Sequence, residues 1–396
     1  MSPYQTGMIY IPGCNRLEEG DRLSSFFEEL RRVQTEKNIS LLIEITHQQE
    51  EEVSRYQIQQ GQIHLIQTLQ EDSPGDEKSL GNFLKWSQEY SAADPYILII
   101  WNHGNPWNIQ EFKSKPLYRT PFPYEAVARA IFLSTVRTIL TQQELMETVY
   151  ADQSASLRDF LDILELKKAL QGSRIQLGIL GLDGCPANLL EELHEIKEAV
   201  RFVIGPGDGE WKKSWIQSER LRVPMEQPNL SLEDSAGTWV KQLNESQGKS
   251  LSLLNLTHLD LVTQSLDRLA LTLKTHLSQM YGFFSQVRRE AQVFSNPNYV
   301  DLYDLATLLK KVENRDDLKE ETERLLSSLN TLVFEDPKTK DTSDTRRVGI
   351  FFPENRRILT PYYQKLDFAE TCSNWIEFIN AYLEFVPTQE VKRARI

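Results

Sequence analysis

Residues 96–107 read YILIIWNHGNPW, and residues 175–185 read IQLGILGLDGC. Each is an apolar run closed by turn-forming residues, the pattern of a strand buried on both faces of a parallel sheet. The first run leads into His103 and Gly104, and the second into Asp183, Gly184 and Cys185. In an open α/β sheet the functional crevice lies outside the carboxyl ends of the strands. Two buried strands therefore deliver a histidine and a cysteine toward one edge, the layout of a cysteine-nucleophile hydrolase.

Working outward from these runs, short apolar stretches alternate with amphipathic ones through the first two-thirds of the chain, so this part is α/β. Strands are expected over 8–12, 40–46, 96–101, 175–182 and 201–204, with a two-strand excursion over 54–69. Helices are expected over 17–35, 79–90, 157–170 and 187–199. From Pro224 onward the pattern turns mostly helical, with helices over 251–284, 299–312 and 316–329. A charge-rich loop over 335–347 precedes one more strand, 348–352, and a final helix over 369–385. The length, 396 residues, exceeds what one core usually serves and suggests two closely packed units, a catalytic one over 1–223 and a helical subdomain over 224–396, with a single elaborated domain as the alternative.

Composition narrows the function classes. Lys and Arg number 44 against 57 Asp and Glu, a net charge of −13 that argues against nucleic acid or an anionic membrane as partner and steers basic peptides favourably. The three cysteines, Cys14, Cys185 and Cys372, show neither zinc-site nor disulfide spacing, and a reducing compartment fits them best. With no signal-peptide pattern at the start and no segment of ~20 apolar residues, a soluble cytoplasmic protein is expected. Gly248, Lys249 and Ser250 resemble the end of a phosphate loop, but the position that requires glycine is Leu243.

Pro186 follows Cys185 directly, and ANLLEELHEIKEA follows Pro186. Pro suits the first turn of a helix, so the cysteine is expected at a helix N-terminus, where the dipole and free N–H groups favour the thiolate and stabilise an oxyanion. Taken singly, a cysteine after a strand is more often packing, and a histidine at a strand end more often structural. Together, with a glycine beside each that leaves room for a substrate backbone, they favour catalysis.

An ordered series of segments resembles the clostripain family of cysteine peptidases, which has a caspase-like fold. The series runs YIPGCNRLEEG (10–20), LGNFLKW (80–86), WNHG (101–104), SLRDFLDILELKKAL (156–170), LGLDGC (180–185) and PGDG (206–209). It continues through VDLYDLATLL (300–309), GIFFP (349–353) and YYQKLDFAETCSNWIEFINAY (362–382). Where the family usually has Asp-Ala-Cys this chain has Asp183-Gly184-Cys185, and where it has a Gly-rich stretch before Trp this chain has Asn105-Pro106-Trp107. The resemblance implies a caspase-like, mostly parallel sheet flanked by helices, with a mainly helical C-terminal subdomain.

It also implies roles. Cys185 is the nucleophile and His103 the general acid and base, with the backbone N–H groups of Cys185 and Gly104 as oxyanion donors. Asp183 occupies the pocket for the residue before the cut and selects Arg or Lys, unless it serves only as a turn cap. No cofactor is required; calcium dependence occurs in the family, but no ligand set is readable here. Prolines and basic residues over 108–124 (NIQEFKSKPLYRTPFPY) suggest an exposed loop. The resemblance implies that cleavage in this interval accompanies activation, with the bond after Arg119 favoured and the bond after Lys115 disfavoured by Pro116. The expected enzyme is a latent endopeptidase, cut by itself or by an upstream protease; the alternatives are activity gated by a regulatory partner, a catalytically inactive caspase-like interaction protein, or a small-ligand binding module.

Overall fold

The computed structural model describes residues 5–11, 22–32, 39–46, 52–70, 77–92, 94–101, 163–183, 188–206, 230–247, 251–294, 298–334, 348–353 and 363–385. Their centre is an eight-stranded sheet in the order β4-β3-β2-β1-β5-β6-β7-β8. The strands are β1 (Gln5–Ile11), β2 (Ile39–Thr46), β3 (Glu52–Gln59), β4 (Gln62–Gln70), β5 (Tyr96–Trp101), β6 (Leu177–Asp183), β7 (Val200–Pro206) and β8 (Leu251–Asn255). The block β2-β1-β5-β6-β7 is parallel, and β3, β4 and β8 add antiparallel edges. The chain moves outward from β1 to β2, then returns to the other side of β1 with β5, so strand order reverses between β1 and β5.

Alternation along the central strands explains why they are apolar throughout. Ile9, Ile43, Ile97, Ile99, Ile179 and Phe202 face one side of the sheet. There they meet Phe26 and Leu30 of α1 (Arg22–Arg32) and Trp239 and Leu243 of α5 (Leu232–Gln247). Met8, Tyr10, Leu98, Ile100, Leu180 and Leu182 face the opposite side. That side is covered by α2 (Glu77–Tyr90), α3 (Ile163–Ser173) and α4 (Leu190–Ile196). The result is a three-layer sandwich, whose parallel strands need apolar side chains on both faces.

The second apolar cluster continues without a break into the C-terminal elements, from Met8 to Leu383. These are α6 (Leu259–Glu290), α7 (Leu302–Leu309), α8 (Asp316–Leu332), α9 (Asp367–Thr371) and α10 (Ser373–Phe385). A two-stranded antiparallel ribbon joins β9 (Tyr299–Asp301) to β10 (Gly349–Phe351). No helix among the described residues is long and apolar enough to cross a membrane.

Several expectations need correction. Residues 251–255 form β8 and residues 299–301 form β9, so the helices expected over 251–284 and 299–312 both begin as strands. β8 pairs antiparallel with β7, and Phe334 N donates to Leu253 O at 2.9 Å on its other side. The helix expected over 369–385 begins earlier and is broken at Cys372. The helix expected from 187 starts at Leu190. The two-strand excursion is present as the hairpin β3–β4, turned by Gln60 and Gly61 at φ 53° and 74°. Two consecutive left-handed residues make the tight turn whose twist matches its strands. The strand over 348–352 is present as β10. The loop expected over 335–347 and the beginning of the helix expected over 157–170 lie outside the described residues.

Candidate active site

β5 and β6 are neighbours and parallel, so their carboxyl ends reach the same edge of the sheet. Their register pairs Ile100 with Leu182 and Trp101 with Asp183. His103 stands two positions after Trp101 in sequence, and Cys185 stands two positions after Asp183. His103, Gly104, Lys115, Arg119 and Cys185 lie outside the described residues, while the backbone of Asp183 is the last position of β6. Two residues span at most about 7 Å and paired strands lie about 4.8 Å apart. Connectivity therefore limits His103 and Cys185 to about 19 Å at the widest, a range that includes the contact a dyad needs.

The far side of the cysteine segment is anchored to the C-terminal elements. Asn188 O accepts a hydrogen bond from Gly349 N at 2.7 Å, and Leu189 forms a parallel bridge with Gly349. A Cβ at Gly349 would meet Leu189 Cδ2 at 2.5 Å and the Phe294 ring at 3.1 Å, so a side chain there would have to displace Leu189. Because Leu189 is extended, with φ −82° and ψ 122°, α4 begins only after it. The helix therefore starts later than Pro186 suggested, and the position of Cys185 relative to its N-terminus lies outside the described residues.

Every residue of α4 is buried, including Glu191, Glu192, His194 and Glu195. Glu191 Oε1 accepts from Phe351 N and from Tyr363 Oη, both at 2.8 Å. One turn later, Glu195 Oε1 accepts from Phe368 N at 3.0 Å, and Glu195 Oε2 accepts from Lys167 Nζ of α3 at 2.8 Å. Lys167 also contacts Asp367 at 2.5 Å. Sequence reasoning missed these carboxylates as anchors. The available signal was their i,i+4 spacing on a segment hemmed in by strands.

The two glutamates titrate in opposite directions. Burial pushes the Glu191 carboxyl up to about 7, against the hydrogen bonds from Phe351 and Tyr363. Burial also opposes ionisation of Glu195, but the adjacent His194 ring, the Lys167 ammonium and the Phe368 amide together hold it below the usual carboxylate range. The His194 contribution is the weakest of the three geometrically, since its Nδ1 stands 3.9 Å from Glu195 Oε1. Among the described residues no group of three or more His, Cys, Asp or Glu converges as a metal site.

The model of the clostripain family, peptidase C11, matches residues 10–120 and 137–382. Among curated proteins no match to the chain is found. The fold is shared with solved structures. An inactive zymogen C11 protease from Parabacteroides distasonis has a TM-score of 0.63 at 16% identity, covering 94% of this chain and 99% of that one. A secreted C11 cysteine protease from Bacteroides thetaiotaomicron, "iotapain", has a TM-score of 0.61 at 11% identity, covering 94% and 100%. A secreted C11 cysteine protease from the same organism, in complex with an irreversible peptide inhibitor, has a TM-score of 0.60 at 13% identity, covering 93% and 99%. The solved structures share its mostly parallel sheet and helical C-terminal region, and with the family model matched over most of its length the chain belongs to the clostripain family of cysteine proteases.

Proposed function

We propose that the chain is a cysteine endopeptidase that cleaves proteins after Arg or Lys through a Cys185–His103 dyad and is held latent until its chain is cut. The observation that supports this reading is the pairing of Trp101 with Asp183, since His103 and Cys185 each follow two positions later in the sequence. In the proposed cycle the Cys185 thiolate adds to the scissile carbonyl carbon. Backbone N–H groups of Cys185 and Gly104 hold the oxyanion. The C–N bond then breaks, the amine leaves with a proton from His103, and a thioester remains. His103 next takes a proton from water, hydroxide adds to the thioester, and the acid leaves as the thiolate re-forms.

Asp183 ends β6, two residues before the nucleophile. There its carboxylate is proposed to pair with the basic side chain preceding the cut. The net charge of −13 favours the approach of basic substrates, and a reducing compartment keeps the thiol available. Asp183→Asn is expected to lower the preference for Arg and Lys over neutral residues by about tenfold or more, since a charge-assisted contact is worth about 1.5 to 3 kcal/mol. A fluorogenic peptide library read with both proteins checks this. Equal cutting after Asp, Ala and Arg by the unaltered enzyme rules out the specificity assignment.

Latency is proposed from the basic, proline-punctuated interval 108–124 and from fold kinship with a protease described as an inactive zymogen. The bond after Arg119 is the favoured cut, made by the enzyme itself or by an upstream protease. Mass spectrometry of the active protein is expected to find a new N-terminus at Thr120. Full activity from a chain intact throughout the interval contradicts processing and leaves gating by a regulatory partner.

A further inference from the structure

We propose that Glu191 is a positioning residue for peptide cleavage, joining the segment that follows the nucleophile to β10 and Tyr363. The proposal rests on Cys185 being the nucleophile. One carboxylate oxygen accepts from two donors far away in sequence, the backbone N of Phe351 and the hydroxyl of Tyr363. Glu191 is itself 2% exposed, so shortening its side chain takes this acceptor away from two buried donors. The Phe351 amide cannot be removed by a side-chain change, and Glu191 is what satisfies it.

The location gives this contact its consequence. β6 enters the nucleophile segment at Asp183, held in register by β5 on one side and β7 on the other. The segment leaves at Asn188, where Gly349 N bonds to Asn188 O and Leu189 bridges Gly349. Cys185 thus lies between two anchors only five positions apart, one in the central sheet and one on β10. β10 in turn is fixed by Glu191 and by Trp375 of α10, whose Nε1 donates to Phe351 O at 3.2 Å. Glu191 is therefore the side chain that locks the second anchor to the helix of the nucleophile segment. A displacement of about 1 Å at a reacting group costs roughly 100-fold in rate, so losing the lock reaches the chemistry without touching substrate.

The test compares Glu191→Ala, Glu191→Gln and Tyr363→Phe in the full, activated chain at a temperature well below each melting transition. Steady-state cleavage of an Arg-containing fluorogenic peptide gives kcat and KM, and iodoacetamide reports the reactivity of Cys185 without substrate binding. Glu191→Ala is expected to lower kcat by about 10- to 100-fold with KM within about threefold, and to change the alkylation rate. Glu191→Gln is expected to recover most of kcat, because its carbonyl oxygen still accepts from both donors. Tyr363→Phe removes one of the two donors and is expected to fall between them. If Glu191→Ala does not fold, the ordering of the other two against the unaltered enzyme decides. A folded Glu191→Ala with kcat within twofold of normal overturns the proposal, as does Gln behaving no better than Ala. Cys185→Ala, measured alongside, separates the two readings: turnover surviving there overturns the nucleophile assignment and the proposal with it, whereas its loss beside a fully active Glu191→Ala overturns the proposal alone.

Discussion

Cys185→Ala is expected to abolish peptide cleavage, lowering kcat by at least about 1,000-fold, while the melting temperature stays close to normal. Alanine cannot form the thioester, and residual oxyanion stabilisation and binding provide only a small fraction of the rate. His103→Ala is expected to do nearly the same, because no other group is proposed to protonate the leaving amine. The pair is proposed to act as a unit, so the double variant should be little worse than either single one. Thermal melts recorded beside the kinetics keep a folding defect from passing as a catalytic one. Retained turnover in purified Cys185→Ala refutes the mechanism.

A second large effect is expected in the pH dependence of stability, and Glu191 sets its sign. Its carboxyl rises from an ordinary value of 4.5 to about 7 in the fold, so the folded protein binds this proton more tightly than the unfolded chain does. The stabilisation is complete below the unfolded value and is lost as pH rises through about 7. Between pH 5.5 and 8.5 the loss from this group amounts to about 2 kcal/mol. Glu195 works in the opposite sense, since its lowered carboxyl is lost as a stabiliser only on acidification, outside that window. Denaturant unfolding across pH 5.5 to 8.5 should therefore show a decline that is about 2 kcal/mol shallower in Glu191→Gln. Parallel curves for the two proteins contradict the protonation of Glu191 in the fold.

The legible part of this fold was the part written in local pattern. β1, β2, β5, β6 and β7 are apolar because both faces of a parallel sheet are covered, and such runs stand out between polar helices. β8 was not legible, because LSLLN flows without glycine or proline into the helical pattern of α6, and periodicity does not separate a short buried strand from a buried helix turn. Its state is decided by pairing with β7. The start of α4 was misread for a similar reason. Pro186 suits a helix start, but Asn188 and Leu189 are claimed by Gly349, a contact that no local rule carries. Glu191 and Glu195 were hidden by the general expectation that glutamates on a helix face water. Their burial follows from donors supplied by residues 351, 363 and 368, and only the assembled fold brings these together. The pattern behind the proposed dyad is also local, since it is the type of residue that follows two adjacent apolar strands, and both residues lie outside the described ones.

The central claim is that Cys185 is the nucleophile, and three cysteines allow a direct choice. Cys372 is buried, its Sγ donates to Thr263 O at 3.4 Å, and burial raises its thiol pKa well above the usual value, which makes it inert. The most direct measurement treats the active protein with an electrophilic peptide carrying Arg before its warhead, then locates the adduct by mass spectrometry. The account predicts one adduct per chain, on Cys185, formed in step with loss of activity and absent from His103→Ala on the same timescale. An adduct on Cys14 or Cys372 that tracks inactivation, or full inactivation with Cys185 unmodified, contradicts it.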